Sequence, residues 1–187
     1  MIGASLPLSL TTSNLPNSII SHNLEQAIIS AQDISGGVII SDAIVQERSI
    51  NIFAGFTRDI QVISQRLEDD TQNTTVLAPL NSALQKLPRK PWQDPQDYKS
   101  QGSSAYVGDG GVDKAHANLQ RFVEAHIIPA SPWEENEKVE SLAGEKVWWT
   151  RDGDKKMIQP GNIEVSSIAS RVANGEVWVL KGALNYE

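Results

Sequence analysis

Residues 161–184 read GNIEVSSIASRVANGEVWVLKGAL, and this stretch decides the fold. Two runs of β-branched and apolar residues flank Asn174-Gly175, the dipeptide that most strongly favours a tight hairpin turn. The second run, Glu176 to Leu180, ends just before Lys181-Gly182. The stretch therefore predicts a β-hairpin whose second strand is buried.

A second stretch, residues 73–84, joins a predicted buried strand to a short helix. It reads NTTVLAPLNSAL, so an apolar run is closed by Pro79. Asn81 is suited to be the N-cap of the helix, and Leu84 would then face inward. Pro88 follows at the position where such a helix should stop.

Two longer helices are predicted from the spacing of apolar residues. Between Ile52 and Leu67 these residues recur every three or four positions, which predicts one continuous amphipathic helix. Asp113 is suited to cap a second helix that carries Leu119 and His126 on one face. The rest of the chain is predicted to be β-structure, with a further hairpin turn at residues 151–154.

Three blocks, in this order, resemble the fasciclin-like (FAS1) domain family. They are residues 73–84, residues 119–129, which read LQRFVEAHIIP, and the terminal hairpin. The resemblance covers roughly residues 38–184 and is to a short, single-domain fungal branch. It implies an α+β fold, with a wedge-shaped, seven-stranded β-sandwich core and helices packed along one edge. It also implies an interaction or adhesion module. The scarcity of catalytic residues, described below, separately predicts no enzymatic activity.

The resemblance also divides the chain. Residues 1–36 are expected to be an N-terminal extension, flexible and then partly helical, and residues 37–187 to be the FAS1 domain. Pro, Gly, Asp and Ser are frequent in residues 88–112, which predicts a long loop insert there. Loops on a rigid scaffold commonly carry recognition.

Aromatic residues in and beside this loop are the predicted partner-binding site. Trp92, Tyr98 and Tyr106 lie within the loop, and Trp133 is expected to lie next to them. The alternative is that such residues pin the loop to the domain. Trp178 is expected to keep a partly exposed face. The predicted partner is a protein, or else a glycan or a membrane-associated molecule, in fungal cell-surface assembly, membrane traffic or sporulation.

One departure from the family pattern bears on the partner. Ala125 precedes His126, where many members carry a tyrosine that is tied to integrin binding. The chain also contains no Arg-Gly-Asp sequence. Integrin binding is therefore not expected.

Composition argues against several other classes of function. A formal net charge of −7 argues against nucleic acid, whose phosphates require a basic surface. No apolar run is long enough to cross a bilayer, and the absence of cysteine excludes disulfides and thiolate chemistry. The first basic residue is Arg48, so cytoplasmic localisation is expected. The alternative is the secretory pathway or the vacuole, where the sequon at Asn73 would be glycosylated.

Residues that could carry chemistry are sparse. His126 is predicted to be a satisfied core histidine, with a functional histidine in a hydrolase as the alternative. Asn81 is expected to be its structural partner or a helix cap, and Asn174 and Gly175 complete the structural motif. The acidic run at residues 134–140 is expected to be a solvated face, with cation binding as the alternative. No cofactor, metal or catalytic residue is predicted.

Overall fold

Seven strands lie in one hydrogen-bonded order, β2-β1-β7-β6-β5-β4-β3, within the residues that the computed structural model describes. These are residues 37–94, 99, 102 and 106–184. The expectations for residues 1–36 and for Tyr98 lie outside them. The strands are β1 (Thr74–Pro79), β2 (Ile127–Ile128), β3 (Val139–Glu140), β4 (Lys146–Asp152), β5 (Lys155–Gln159), β6 (Ile163–Val172) and β7 (Gly175–Leu180).

Helices occupy the first part of the described chain and the segment before β2. They are α1 (Ile40–Ile44), α2 (Asn51–Asp59), α3 (Gln61–Glu68), α4 (Asn81–Gln85) and α5 (Asp109–Ala125), with a 3-10 turn at Arg48–Ile50. Together with the seven strands they form the predicted α+β fold.

The single helix predicted from Ile52 to Leu67 is wrong. Ile60 has an extended backbone (φ −107°, ψ 104°) and separates α2 from α3. Its side chain is buried, as are those of Ile63 and Leu67. The break keeps the apolar spacing intact, so periodicity alone could not reveal it.

The helix predicted to be capped by Asp113 begins earlier than expected. Gly108 is the N-cap of α5, and Asp113 lies inside the helix. The backbone of Gly108 has φ 80°, a left-handed conformation that favours glycine. The predicted loop at residues 88–112 is therefore shorter at its C-terminal end.

The centre of the sheet is a parallel pair formed by β1 and β7. Their register runs from Thr74 opposite Gly175 to Pro79 opposite Leu180. Both faces of this pair are buried, as is usual for parallel strands. One face packs under the helices through Val76, Ala78, Val177 and Val179, and the other forms a second core through Leu77, Trp178 and Leu180.

Trp178 shows that the sheet curls. Its ring centroid lies 5.6 Å from that of Trp133 and 5.9 Å from that of Trp149 on β4. Three strand spacings separate β4 from β7, which is about 14 Å in a flat sheet, so these contacts require the sheet to fold over. Trp178 is only 2 % exposed, and the expectation that it keeps an exposed face is wrong.

The indole N–H groups in this second core all have acceptors. The Trp149 indole N–H donates to the carbonyl oxygen of Trp133. The Trp133 indole N–H donates to the carbonyl oxygen of Glu137. Trp178 donates to the carboxylate of Glu176 at 2.6 Å. The Lys156 ammonium lies 3.1 Å from the Trp149 ring centroid, a cation–π contact that covers the cluster. The tryptophans can therefore be buried without leaving a donor unsatisfied.

Asn174 joins three elements, two through its buried side chain and the third through its backbone. Its Oδ1 accepts a hydrogen bond from Ile40 N (2.8 Å) at the start of α1. Its Nδ2 donates to the carbonyl oxygens of Leu67 (3.0 Å) and Asp69 (3.1 Å) at the end of α3. Its own carbonyl oxygen accepts from Thr74 N (2.9 Å), where β1 begins. Asn174 is completely buried.

Position 175 requires glycine because the neighbouring strand packs closely against it, and not because it lies in the turn. The terminal hairpin is present, but its turn is made by Ala173 and Asn174, and Gly175 already pairs with Val172 as the first residue of β7. A Cβ at Gly175 would lie 1.7 Å from the carbonyl oxygen of Thr74. Its backbone also has φ 146°, a conformation that favours glycine.

Two glycine-to-alanine substitutions should change stability in opposite directions. Gly175→Ala should lower the free energy of unfolding by more than about 3 kcal/mol, because the backbone of β1 cannot move away from the new Cβ. Gly55→Ala, inside α2 with nothing within 4 Å of the new Cβ, should raise it by about 0.5–1 kcal/mol. Urea unfolding measures both, and a tolerated Gly175→Ala would contradict the assigned packing.

Candidate interaction surface

A small apolar depression lies between α2, α4 and the segment that follows α4. Its volume is about 100 Å³. The lining residues are Ile52, Phe56, Leu84, Gln85, Lys90, Pro91 and Trp92. We call this region the Trp92 surface. It has the size of one aliphatic side chain and a wall that is mostly apolar.

The two helical walls of the Trp92 surface are held together by Asn81. The Oδ1 of Asn81 accepts from Ile52 N (3.0 Å) in the first turn of α2, and its Nδ2 donates to the carbonyl oxygen of Arg48 (2.9 Å). The N-cap of α4 is Leu80, so Asn81 does not cap its own helix. Its side chain bonds to the start of α2 and not to His126, so the predicted pairing of Asn81 with His126 is wrong. The same bonds bring Ile52 of α2 next to Leu84 of α4.

Trp92 is held in place by its backbone while part of its side chain stays accessible. Its carbonyl oxygen accepts from the Asn118 side chain on α5 at 3.1 Å. The flanking residues close a turn, because Gln93 N donates to the carbonyl oxygen of Lys90 (2.9 Å). The residue is 37 % exposed. An ordered, half-exposed tryptophan above an apolar depression is typical of a binding anchor.

Tyr106 fastens the loop. Its hydroxyl oxygen accepts from Asp94 N at 2.6 Å, so it connects the two ends of the segment that contains Tyr98. The start of α5 packs closely against it, since a Cβ at Gly111 would lie 2.3 Å from the Tyr106 carbonyl carbon. Tyr106 is half-buried and Tyr98 lies outside the described residues, so Trp92 is the aromatic that the structure presents in this loop.

Trp133 is a core residue and not an exposed anchor. It is 4 % exposed and belongs to the second core. The sequence did not show this because Pro132 before it and the acidic residues after it are typical of a surface loop. The decisive contacts come from Trp149 and Trp178, which are distant in the chain.

The apolar residues of the Trp92 surface were not identified from the sequence as functional. Ile52 and Phe56 belong to the apolar stripe of α2, and a stripe normally indicates burial. Both are only partly buried, whereas Phe53 and Ala54 of the same helix are buried. Their position at the edge of the apolar stripe was the one feature of the sequence that could have indicated their partial exposure.

His126 is enclosed and both of its ring nitrogens are bonded. Nδ1 lies 2.7 Å from the carbonyl oxygen of Phe122, and Nε2 accepts from Leu184 N at 3.0 Å. This pattern assigns the proton to Nδ1. Burial lowers the pKa of His126 to about 4, against the opposing effect of the Phe122 carbonyl. The imidazole therefore stays neutral and fixes the end of the described chain against α5.

A larger depression, of about 320 Å³, lies beside the terminal hairpin turn and is polar. Asn73, Arg171 and Glu176 line it, and the last two form an ion pair at 2.9 Å. Asn73 is exposed, so a glycan there would project from this surface. The depression lacks an aromatic or large aliphatic side chain that could anchor a protein partner.

Neither a metal site nor a membrane span is found in the described part of the chain. No cluster of three or more His, Asp or Glu residues could hold a metal ion there. Glu135 of the acidic run is paired with Arg151 at 3.3 Å, and Glu137 accepts from the backbone of Glu134. Within the same residues, no helix is both long and apolar enough to cross a bilayer.

Comparison with known proteins identifies the family. The model of the Fasciclin domain matches residues 48–185. A FAS1 domain-containing protein of Aspergillus fumigatus is 58 % identical over 149 residues, which are 79 % of this chain and 64 % of that protein. One from Neurospora crassa is 55 % identical over 149 residues, 79 % of this chain and 65 % of that protein. This chain thus spans slightly less than two thirds of either relative.

A shorter relative and a solved structure complete the comparison. A FAS1 domain-containing protein of Schizosaccharomyces pombe is 26 % identical over 94 % of this chain and 90 % of its own length. The FAS1 domain pair of the insect cell adhesion molecule fasciclin I matches with a TM-score of 0.52 and 11 % identity, over 79 % of this chain and 51 % of that one. At that identity the structural match shows the fold alone.

The buried His126 should make stability depend on pH. Because its folded pKa of about 4 lies below the ordinary 6.5, the unfolded chain binds more protons between these values. Stability is therefore complete above pH 6.5 and is lost as the pH falls towards 4. We expect a loss of about 2 kcal/mol between pH 7.5 and pH 5 from this group. Urea unfolding at the two pH values measures it.

His126→Gln should abolish most of that pH dependence, whatever its effect on stability at pH 7.5. The matched control is His116→Gln, which removes an exposed imidazole from α5 and should retain the wild-type slope. Equal slopes for His126→Gln and the wild type would show that His126 does not carry the effect.

Proposed function

The chain belongs to the fasciclin domain family, and on that basis we propose that it is a non-enzymatic interaction module that binds a protein partner through the Trp92 surface. The family consists of non-enzymatic modules that are often related to adhesion. The observation that carries the proposal is Trp92 itself, an ordered and partly exposed tryptophan beside an apolar depression. Tryptophans in such positions contribute a large share of binding energy at protein interfaces.

The size of the depression suggests what enters it. About 100 Å³ accommodates one leucine- or isoleucine-sized side chain between Ile52, Phe56 and Leu84. The ring of Trp92 would then cover the inserted group and exclude water from it. Burial of one such side chain contributes about 1.5–3 kcal/mol.

The charge near this surface suggests what surrounds the inserted side chain. The whole chain carries a net charge of −7, yet residues 71–93 contain Lys86, Arg89 and Lys90 and no Asp or Glu. Lys90 is the charged residue that lines the depression. A partner segment with carboxylates beside its apolar residue would be attracted to this basic segment.

The bonding of His126 supports a non-enzymatic role. A general base needs an accessible nitrogen within reach of a substrate, and His126 is completely buried with both nitrogens engaged.

The proposal includes the cellular process and the compartment. The proposed process is fungal cell-surface assembly, membrane traffic or sporulation. The compartment is cytoplasmic or secretory, and a glycan on the exposed Asn73 of the native protein would indicate the secretory route.

Trp92→Ala should weaken the binding of a captured partner by about 2 kcal/mol, or roughly thirty-fold in Kd. Affinity capture from a fungal extract identifies candidates, and titration with each purified candidate measures the change. The matched control is Trp148→Ala, a partly exposed tryptophan on β4. A partner that loses affinity with Trp148→Ala but keeps it with Trp92→Ala would contradict the proposed surface.

The association rate of the same partner should fall when the salt concentration is raised. At low salt, it should also be lower for Lys90→Glu than for the wild type. Screening and charge reversal both remove the attraction between a basic surface and an acidic segment. The matched control is Lys146→Glu, an exposed lysine on β4. Stopped-flow association rates test this, and a rate for Lys90→Glu equal to that of the control would contradict the assigned partner charge.

A further inference from the structure

We propose that Asn174-Gly175 is a deamidation site that the folded domain keeps inert and that becomes reactive whenever the domain opens. In this reaction the backbone nitrogen of Gly175 attacks Cγ of Asn174. A five-membered succinimide ring forms and the side-chain nitrogen leaves as ammonia. Water then opens the ring to give aspartate or isoaspartate, so one water is consumed for each ammonia released.

The dipeptide is reactive in an open chain because glycine follows the asparagine. The attacking nitrogen belongs to a residue without a side chain, which leaves the approach to Cγ unhindered and the backbone free to rotate. Asn174-Gly175 is the one Asn-Gly pair in the whole sequence. Asn162 offers a comparison inside the same chain, since it is exposed and is followed by the β-branched Ile163.

The fold blocks this reaction in two ways. Ring closure requires the Asn174 side chain to turn towards Gly175 N, but Ile40 N, Leu67 O and Asp69 O hold it in place. The residue is also completely buried, which denies the hydrolysing water access. Reaction must therefore wait for an opening that breaks contacts with both α1 and α3.

The structure also explains why the chain contains a chemically labile pair at this point. Any other residue at position 175 would place a Cβ against the carbonyl oxygen of Thr74. Position 174 must supply one acceptor, for Ile40 N, and two donors, for Leu67 O and Asp69 O. Asparagine meets that requirement with a side chain of this length. The fold thus requires both residues of the pair: Gly175 because of close packing and Asn174 because of its hydrogen bonds.

The product should be unable to take the place of Asn174. An aspartate accepts hydrogen bonds only, so it would set a buried carboxylate against the carbonyl oxygens of Leu67 and Asp69. An isoaspartate would add one atom to the main chain and shift the register of Gly175 opposite Thr74. Each opening therefore carries a chance of permanent inactivation of the domain.

The first experiment compares reaction rates in the folded and unfolded chain. The full chain is incubated in mildly alkaline buffer with and without concentrated urea, and trypsin then cuts after Arg171 and Lys181. The peptide 172–181 contains Asn174 as its one asparagine, and the preceding peptide contains Asn162. Mass spectrometry should find Asn174 reacting at least about a hundred-fold more slowly in the folded chain. Equal rates for Asn174 in the two states would overturn the proposal.

The second experiment tests the consequence. Urea-aged chain is returned to buffer, and the folded monomer is separated from unfolded or aggregated chain. The modified peptide should be at least tenfold less frequent in the folded fraction, whereas modification elsewhere should be equally shared. Asn174→Asp, made directly, should unfold at a lower urea concentration than the wild type. An even distribution of the modified peptide, or an unchanged midpoint for Asn174→Asp, would show that the carboxylate is tolerated.

Discussion

The buried amide of Asn174 is the constraint on which the rest of the domain depends. An amide group removed from water must have partners, and its partners here are backbone groups at the start of α1 and the end of α3. These elements lie more than 100 residues away in sequence. The side chain therefore joins α1 and α3 to the start of β7, whereas the main-chain carbonyl oxygen of Asn174 accepts from Thr74 N and aligns β7 with β1. Gly175 allows the strands to approach closely enough for this to happen.

The parallel pair separates two cores of different character. The helix side is aliphatic, with Phe53 and Phe122 meeting edge to face around His126. The opposite side is rich in tryptophan and needs an acceptor for every indole N–H; two are backbone carbonyls of the segment between β2 and β3, and the third is the Glu176 carboxylate on β7. Because the strand pair is buried on both faces, the apolar surface left for a partner lies at the periphery. The Trp92 surface occupies such a position, where α2 and α4 meet the following loop.

Two asparagines hold the helices that form the Trp92 surface in place. Asn174 fixes the helices on the sheet, and Asn81 then joins α4 to the first turn of α2. Each uses a side-chain amide to satisfy backbone groups that a helix end would otherwise leave unpaired. The binding depression is thus built on rigid elements, and Trp92 closes it from a turn that is bonded to α5.

The sequence by itself determined the strand at residues 74–79, the two hairpins and the family. These follow from local signals: β-branched runs, turn residues and the order of three motifs. It could not determine the break at Ile60, which leaves the apolar spacing unchanged, or the burial of Trp133 and Trp178, which depends on strands brought together by curling. It assigned Asn81 to the wrong helix and Gly175 to a turn for the same reason. Hydrogen-bond partners and steric limits come from residues remote in the chain, and only the tertiary structure decides which of them meet.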